Sequence, residues 1–444
     1  MKNYAILFVC FLWTILTINA QQVDFEEYDL DNGMHVILHQ DNNAPVVTVS
    51  TYYHVGSKDE NPERTGFAHF FEHLLFEGTK NIPKGEWDKI LTSNGGTGNA
   101  TTNQDRTYYY EVFPSNQLAL GLWMESERLR HPIIGQVGVD TQNEVVKEEK
   151  RMRVDNAPYG QWVSQVFKNL FKEHPYKWSV IGSMEHLDAA TLEEFQAFNK
   201  KYYMPNNCTL VVAGDINIKE AKILIQNYFG GIPRGEEFER INIKEEPITE
   251  TIEATFEDPN IQIPAIFSVY RTPSSKERDA YVLNMISSVL TSGKSSRLYK
   301  KLVDEKKKAL EVAAFNYSLE DYGAYIVLAL PLGDISLDDL LAEMDEEILK
   351  IQTELISERD YQKLQNKFEN QFVNSNSSVQ GIASSLSDYY VINGDTNLIN
   401  TEIEIYRSIT REEIREVAKK YLNPNQRLEL KYLPKSKEIA SNEK

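Results

Sequence analysis

Thr191-Leu-Glu-Glu-Phe-Gln-Ala-Phe-Asn-Lys-Lys-Tyr-Tyr-Met-Pro-Asn206 is written a second time, as Thr410-Arg-Glu-Glu-Ile-Arg-Glu-Val-Ala-Lys-Lys-Tyr-Leu-Asn-Pro-Asn425. Every matched pair lies 219 residues apart. The same offset carries Pro45, which opens Val46-Val47-Thr48-Val49, onto Pro264, which opens Ala265-Ile266-Phe267-Ser268-Val269. One offset that serves both ends of the two halves predicts a duplicated domain, because a long single period is not the signature of a solenoid. The halves are 23–234 and 251–444. Between them, 235–250 (GEEFERINIKEEPITE) is charged, has no periodic apolar pattern and reads as a linker.

Each half opens on segments rich in Val, Ile, Thr and Tyr, such as Val46–His54 and Ile261–Tyr270, which read as strands. Apolar residues at helical spacing follow, at Thr65–Phe76, Asn116–Arg130 and Gln142–Val154 in the first half. A further strand is expected at Thr209–Ala213. Strands interleaved with groups of helices predict an α+β fold of two homologous domains, each a largely antiparallel sheet with helices packed on one face.

The chain has 444 residues, 41% of them hydrophobic, and 24 Tyr, 19 Phe and 5 Trp provide ample apolar area for folded cores. Most of these aromatics, Tyr108-Tyr109-Tyr110 among them, read as strand and core positions. A net charge of −19 argues against nucleic-acid binding, which needs a basic face. Lys2, the apolar run Tyr4–Ile18 and the small residue Ala20 have the layout of a signal peptide over 1–20. The run is too short for a stable membrane span, so export to a periplasm or to the outside is expected. Only Cys10 and Cys208 exist, and Cys10 leaves with the signal, so no internal disulfide is available.

His69-Phe70-Phe71-Glu72-His73 lies in the first of these helical patterns. Residues four apart share a helix face, so His69 and His73 can point their imidazoles at one place with Glu72 close by. This is the inverted H-x-x-E-H pattern of zinc peptidases. Zinc takes neutral imidazole nitrogen and keeps a position for water, and a free carboxylate beside it can act as a base. Two histidines are too few, since three protein ligands are usual. Glu144, Glu148 and Glu149 stand on a strong helical pattern further on, and spacing alone does not choose among them.

The chain resembles the pitrilysin/insulinase-type metallopeptidases, in the small-subunit branch that includes mitochondrial processing peptidase and bacterial homologues. The resemblance runs along nearly the whole chain after the signal. It rests on Gly66–Thr79, Gly95–Tyr109, His174-Pro-Tyr176, Val180-Ile-Gly-Ser183, Tyr203–Asn207 and Val211-Val-Ala-Gly-Asp215. It implies one zinc held by His69, His73 and Glu149, the last lying 76 residues beyond His73, with Glu72 as the base. Many similar enzymes carry an acid seven residues before the third ligand, and here Gln142 holds that place. Gly95, Gly96 and Gly98 make a turn that leads into an exposed strand edge. The resemblance implies that Asn99, Ala100 and Thr101 take a peptide there as an added strand.

Adding 219 to His69, Glu72 and His73 lands on Ser288, Thr291 and Ser292, so the second domain is expected to be metal-free. Similar proteins also offer an Arg and a Tyr, seven apart, after a Ser-Ser-Arg-Leu motif. Here the motif is Ser295-Ser296-Arg297-Leu298, but the Arg and Tyr places hold Val303 and Leu310. The expected function is zinc-dependent metalloendopeptidase, acting on peptides or unfolded segments. A homologous partner subunit would supply the missing Arg/Tyr pair. The competing reading is a catalytically silent structural subunit of a peptidase-like complex.

Overall fold

A computed structural model describes residues 22–240 and 242–435. The signal segment 1–20 lies outside the described residues. Six strands form the first sheet: β1 (Glu26–Asp29), β2 (His35–Gln40), β3 (Val46–Tyr53), β4 (Thr97–Thr102), β5 (Thr107–Pro114) and β6 (Cys208–Gly214). Their order is β1-β2-β6-β3-β5-β4, and only the β2–β6 pair is parallel. The second sheet holds β7 (Ile252–Asp258), β8 (Ala265–Thr272), β9 (Ala309–Ser318), β10 (Gly323–Pro331) and β11 (Leu428–Pro434), in the order β7-β11-β8-β10-β9. Here only β7–β11 is parallel. The first domain thus adds an outer strand, β1, to an otherwise matching arrangement.

The repeated stretch forms a helix in each half, α5 (Leu192–Tyr202) and α10 (Arg411–Tyr421). Both start alike. Thr191 Oγ1 accepts from the Glu194 N–H while Glu194 accepts from the Thr191 N–H, and Thr410 and Glu413 repeat the exchange. Such reciprocal capping satisfies two orphan donors at a helix start.

The main helices of each half cover one face of its sheet, as the periodicity predicts. In the first half these include α1 (Phe67–Leu74), α2 (Leu118–Arg130) and α3 (Gln136–Lys150). In the second half they include α6 (Arg278–Thr291), α7 (Leu337–Thr353) and α8 (Glu358–Ser375).

The other face of each sheet is covered by a helix from the opposite half. First-half α4 (Trp162–Leu170) buries Val166, Phe167 and Leu170 against Ala265, Phe267, Val269 and Leu430 of the second sheet. Second-half α9 (Val379–Asp388) buries Ile382, Ala383 and Leu386 against Ile37, Val211 and Ala213 of the first. Phe167 and Leu386 are related by the repeat offset, so the exchange is reciprocal. Amphipathic periodicity shows that such a helix must bury a stripe, but not against what.

Segment 235–250 has no helix or strand among its described residues. It is nonetheless tied down: Arg240 donates to the His54 carbonyl and to Asn207, and Glu245 Oε1 accepts the N–H groups of Lys172, Glu173 and His174. Among the described residues, no helix is long and apolar enough to cross a membrane.

Candidate metal centre

Helix α1 carries His69, Glu72 and His73, and both of its ends are pinned. Gly66 precedes it at φ 98°, and a Cβ there would stand 2.8 Å from the Ile181 carbonyl, so only glycine fits. The buried Glu60 carboxylate accepts the N–H groups of Gly66 and Ala68, each at 2.8 Å, at the helix start. At the other end, Arg128 donates to the Leu75 carbonyl while Tyr109 donates to that of Phe71. Arg128 is itself fully buried, paired with Glu111 and Glu125 and packed on Phe76, Trp87 and Tyr109.

The imidazole rings of His69 and His73 lie 4.9 Å apart between centroids. Glu149, in the last turn of α3, points an oxygen between them: Oε2 is 3.0 Å from His73 Nε2 and 3.7 Å from His69 Nε2. One ligating atom from each residue falls within 4.8 Å of the other two. Tetrahedral zinc with bonds of about 2.0–2.1 Å needs donor atoms about 3.4 Å apart, so this donor set fits the ion. Glu148 points away to Arg151 at 3.0 Å and is exposed, while Glu144 pairs with Lys147. Geometry therefore separates three acids that spacing left equivalent. Directly after Glu149, the helix widens into a π-turn over Arg151–Asp155, a local form common at functional sites.

Burial pushes the His69 imidazole down to about 4, with the neighbouring His73 adding to the effect. A neutral ring is the form that binds metal. Glu149 is shifted down as well, held below the usual carboxylate value chiefly by its hydrogen bond with His73. Arg153 also reaches Glu149, at Oε1, 2.6 Å away.

Glu72 stands beside this trio without joining it. Its Oε2 accepts a 2.5 Å hydrogen bond from Thr102 Oγ1, at the end of β4. Burial raises its carboxyl above the ordinary value, partly offset by that hydrogen bond. β4 is an outer strand, paired only with β5, and carries Asn99, Ala100 and Thr101. Its polar groups are partly covered: Asn99 Oδ1 accepts the Ala100 N–H, and Arg106 donates to the Thr101 carbonyl. Gln142 makes no hydrogen bond to the trio among the described residues; its amide donates to Glu77 Oε1 at 2.5 Å.

Thr102, Arg106, Arg153 and Glu77 are neighbours that motif spacing does not single out. Thr102 closes the Asn99–Thr102 strand, which is the one signal that pointed toward it. In the second domain, Val303 falls in a π-helical turn over Tyr299–Glu305, and Leu310 lies exposed on β9. Neither place offers a hydrogen-bond donor side chain.

An inverted H-x-x-E-H helix facing a glutamate on a second helix, beside an outer strand, defines a centre of the metallopeptidase type. Residues 35–183 match the family model described as Insulinase (Peptidase family M16), and residues 189–368 match the one described as Peptidase M16 inactive domain. The chain belongs to the insulinase, or M16, peptidase family. It is 29% identical over 371 residues to a "Zinc protease PqqE" of Helicobacter pylori, covering 83% of this chain and 84% of that one. An "uncharacterized zinc protease" of Rickettsia felis is 24% identical over 408 residues, or 87% of this chain and 96% of the other. The crystal structure of a protease from Helicobacter pylori superposes with a TM-score of 0.88 at 27% identity, over 93% of this chain and all of that one. These likenesses support a peptidase-like role and suggest zinc as the metal.

Proposed function

We propose that this chain is a zinc-dependent metalloendopeptidase that cleaves peptides or unfolded segments. The observation that carries this reading is the meeting of His69, His73 and Glu149 around one point, with the Glu72 carboxylate beside it and tied to the outer strand through Thr102. His69, His73 and Glu149 would hold the ion. Bound there, zinc supplies a Lewis acid that polarises a carbonyl and acidifies a water.

The rest falls to the chain. An extended peptide adds to the free edge of β4, displacing the Asn99 side chain from the Ala100 N–H. Backbone pairing of this kind reads extended conformation more than side chains, which suits unfolded substrates. Thr102 occupies Glu72 Oε2, leaving Oε1 to take a proton from the attacking water and pass it to the departing amide nitrogen. The raised affinity of Glu72 for a proton suits it to that transfer.

The reading is tested by assaying cleavage of an unfolded protein before and after metal chelation. Activity that disappears with the metal and returns with about one zinc per chain supports it. Activity indifferent to chelation overturns it.

This reading extends to a heterodimer. Val303 and Leu310 leave developing negative charge at the scissile carbonyl without the Arg/Tyr pair, and each positioned donor is worth about 10²–10³ in rate. A second copy lacks the same groups, so a homologous partner must bring them. In fold alone, this chain matches 48% of the E. coli periplasmic protease PqqL, at 19% identity with a TM-score of 0.77, so that chain is about twice as long as the part it shares with this one. That likeness and the N-terminal apolar run support a site of action outside the cytoplasm. Full activity from the isolated chain, with no partner by mass spectrometry, would remove the heterodimer from the proposal.

A further inference from the structure

In the second domain the repeat offset brings Ser288 and Ser292 to the places of His69 and His73, and Lys363 and Lys367 to those of Glu144 and Glu148. These residues meet. Lys367 Nζ, on α8, donates to Ser288 Oγ and Ser292 Oγ, each at 2.8 Å. One turn earlier, Lys363 Nζ donates to Ser295 Oγ at 2.7 Å. With Ser296, Arg297 and Asp360 these residues line one small cleft. Where the first domain gathers groups that hold a cation, the second gathers cations.

Three positive side chains therefore share one cleft. Among the described residues, Arg297, Lys363 and Lys367 form no ion pair. The single acid on the wall, Asp360, accepts instead from Ser357 Oγ at 2.7 Å. Lys363 is exposed, but Lys367 is half-buried, and in a chain with 66 acids against 47 bases the sheltered Lys58 and Lys301 each meet three carboxylates while Lys367 meets none. Burial weakens the hold of Lys367 on its proton, and the charge of Lys363 weakens it further. An anion in the cleft would relieve both. The serines are suited to receive one. Ser288, Ser292 and Ser295 each accept from a lysine, which leaves each hydroxyl hydrogen free to donate.

We propose that this cleft is a binding site for a small oxyanion group, a phosphate or a carboxylate, held by Lys363, Lys367, Arg297 and the serine hydroxyls. Charge-assisted hydrogen bonds from several donors to one oxyanion are the strong kind. The site stands apart from the metal centre and does not depend on the peptidase reading.

Calorimetric titration of the full chain with inorganic phosphate, and separately with N-acetyl-alanyl-alanine and its C-terminal amide, tests this. Saturable binding of phosphate alone identifies a free-phosphate site. Binding of the free dipeptide at least tenfold tighter than its amide identifies a carboxylate site. Either supports the proposal if the Lys363→Gln/Lys367→Gln pair weakens it tenfold or more without changing the melting temperature in an anion-free buffer. Should that pair fail to fold, Arg297→Gln is read in the same titrations and should also weaken binding. No binding by the wild-type chain, or equal binding by the folded variants, overturns the proposal.

Discussion

The Lys58 ammonium sits 2.7 Å from a Glu320 carboxylate oxygen, and the two residues belong to different domains. Glu320 and Asp321 form the tip of the β9–β10 hairpin, which reaches into the first domain. Lys58 also meets Asp105 and Asp321, each at 3.0 Å, and His54 Nε2 lies 2.7 Å from the same Glu320 oxygen. Tyr176 donates to Asp105, and the Asp321 N–H donates to Tyr176. The interdomain joint is thus a sheltered network of charges, not only an apolar contact.

Removing one partner from such a network leaves a charge without compensation, at a cost of about 3–5 kcal/mol. Glu320→Gln should fall near the lower end, about 3 kcal/mol, because Lys58 keeps Asp105 and Asp321. Urea denaturation followed by circular dichroism measures it. A change below about 1 kcal/mol would mean that the network adds little to stability.

The same residue sets a pH dependence. Burial alone would raise the Glu320 carboxyl, but the hydrogen bond with His54 and the charges of His54 and Lys58 overcome burial and hold it well below its ordinary 4.5. A carboxyl depressed in the folded state stabilises fully above that ordinary value and loses its contribution as pH falls below it, because the unfolded chain then binds the extra proton. Stability measured from pH 6 downward should decline from about 4.5, and less steeply in Glu320→Gln. Parallel curves for the two proteins would contradict this.

Glu72→Gln should bind zinc as the wild type does and lose activity by a factor of about 10²–10⁴, the usual contribution of a positioned general base. Metal analysis and turnover on the same preparation separate the two effects. A zinc-loaded variant with normal turnover would take the proton-transfer role from Glu72.

Glu149→Gln should weaken zinc binding beyond the roughly 10–100-fold seen on losing a supporting contact, because a neutral amide would replace the carboxylate that faces both histidines. Glu148→Gln should leave affinity unchanged, since that carboxylate is spent on Arg151. Competition against a calibrated chelator compares them. Equal effects would show that the helix turns differently in the metal-bound protein.

Much of this was legible in the sequence for local reasons. The capped helices after Thr191 and Thr410 rest on contacts within four residues, and His69 and His73 share a face through helix geometry alone. The third acid was harder. Glu148 and Glu149 stand about 100° apart on one helix, and only the packing of α3 against α1 decides which of them faces the histidines. The tip residues Glu320 and Asp321 carry no periodic signal, and the Lys58 that both of them meet lies more than 200 residues away. The repeat offset showed what Ser288 and Ser292 replace, but not that Lys367 would bridge them.

The reciprocal placement of α4 and α9 bears on ancestry. A one-domain progenitor would carry a sheet with one bare apolar face and a helix with nothing of its own to cover. Two such molecules cure both defects by trading helices, as domain-swapped pairs do. The present chain has the arrangement that joining such a swapped pair through residues 235–250 would give. With two copies covalently joined, each half's helix covers the other's sheet whether or not its own half carries the histidines.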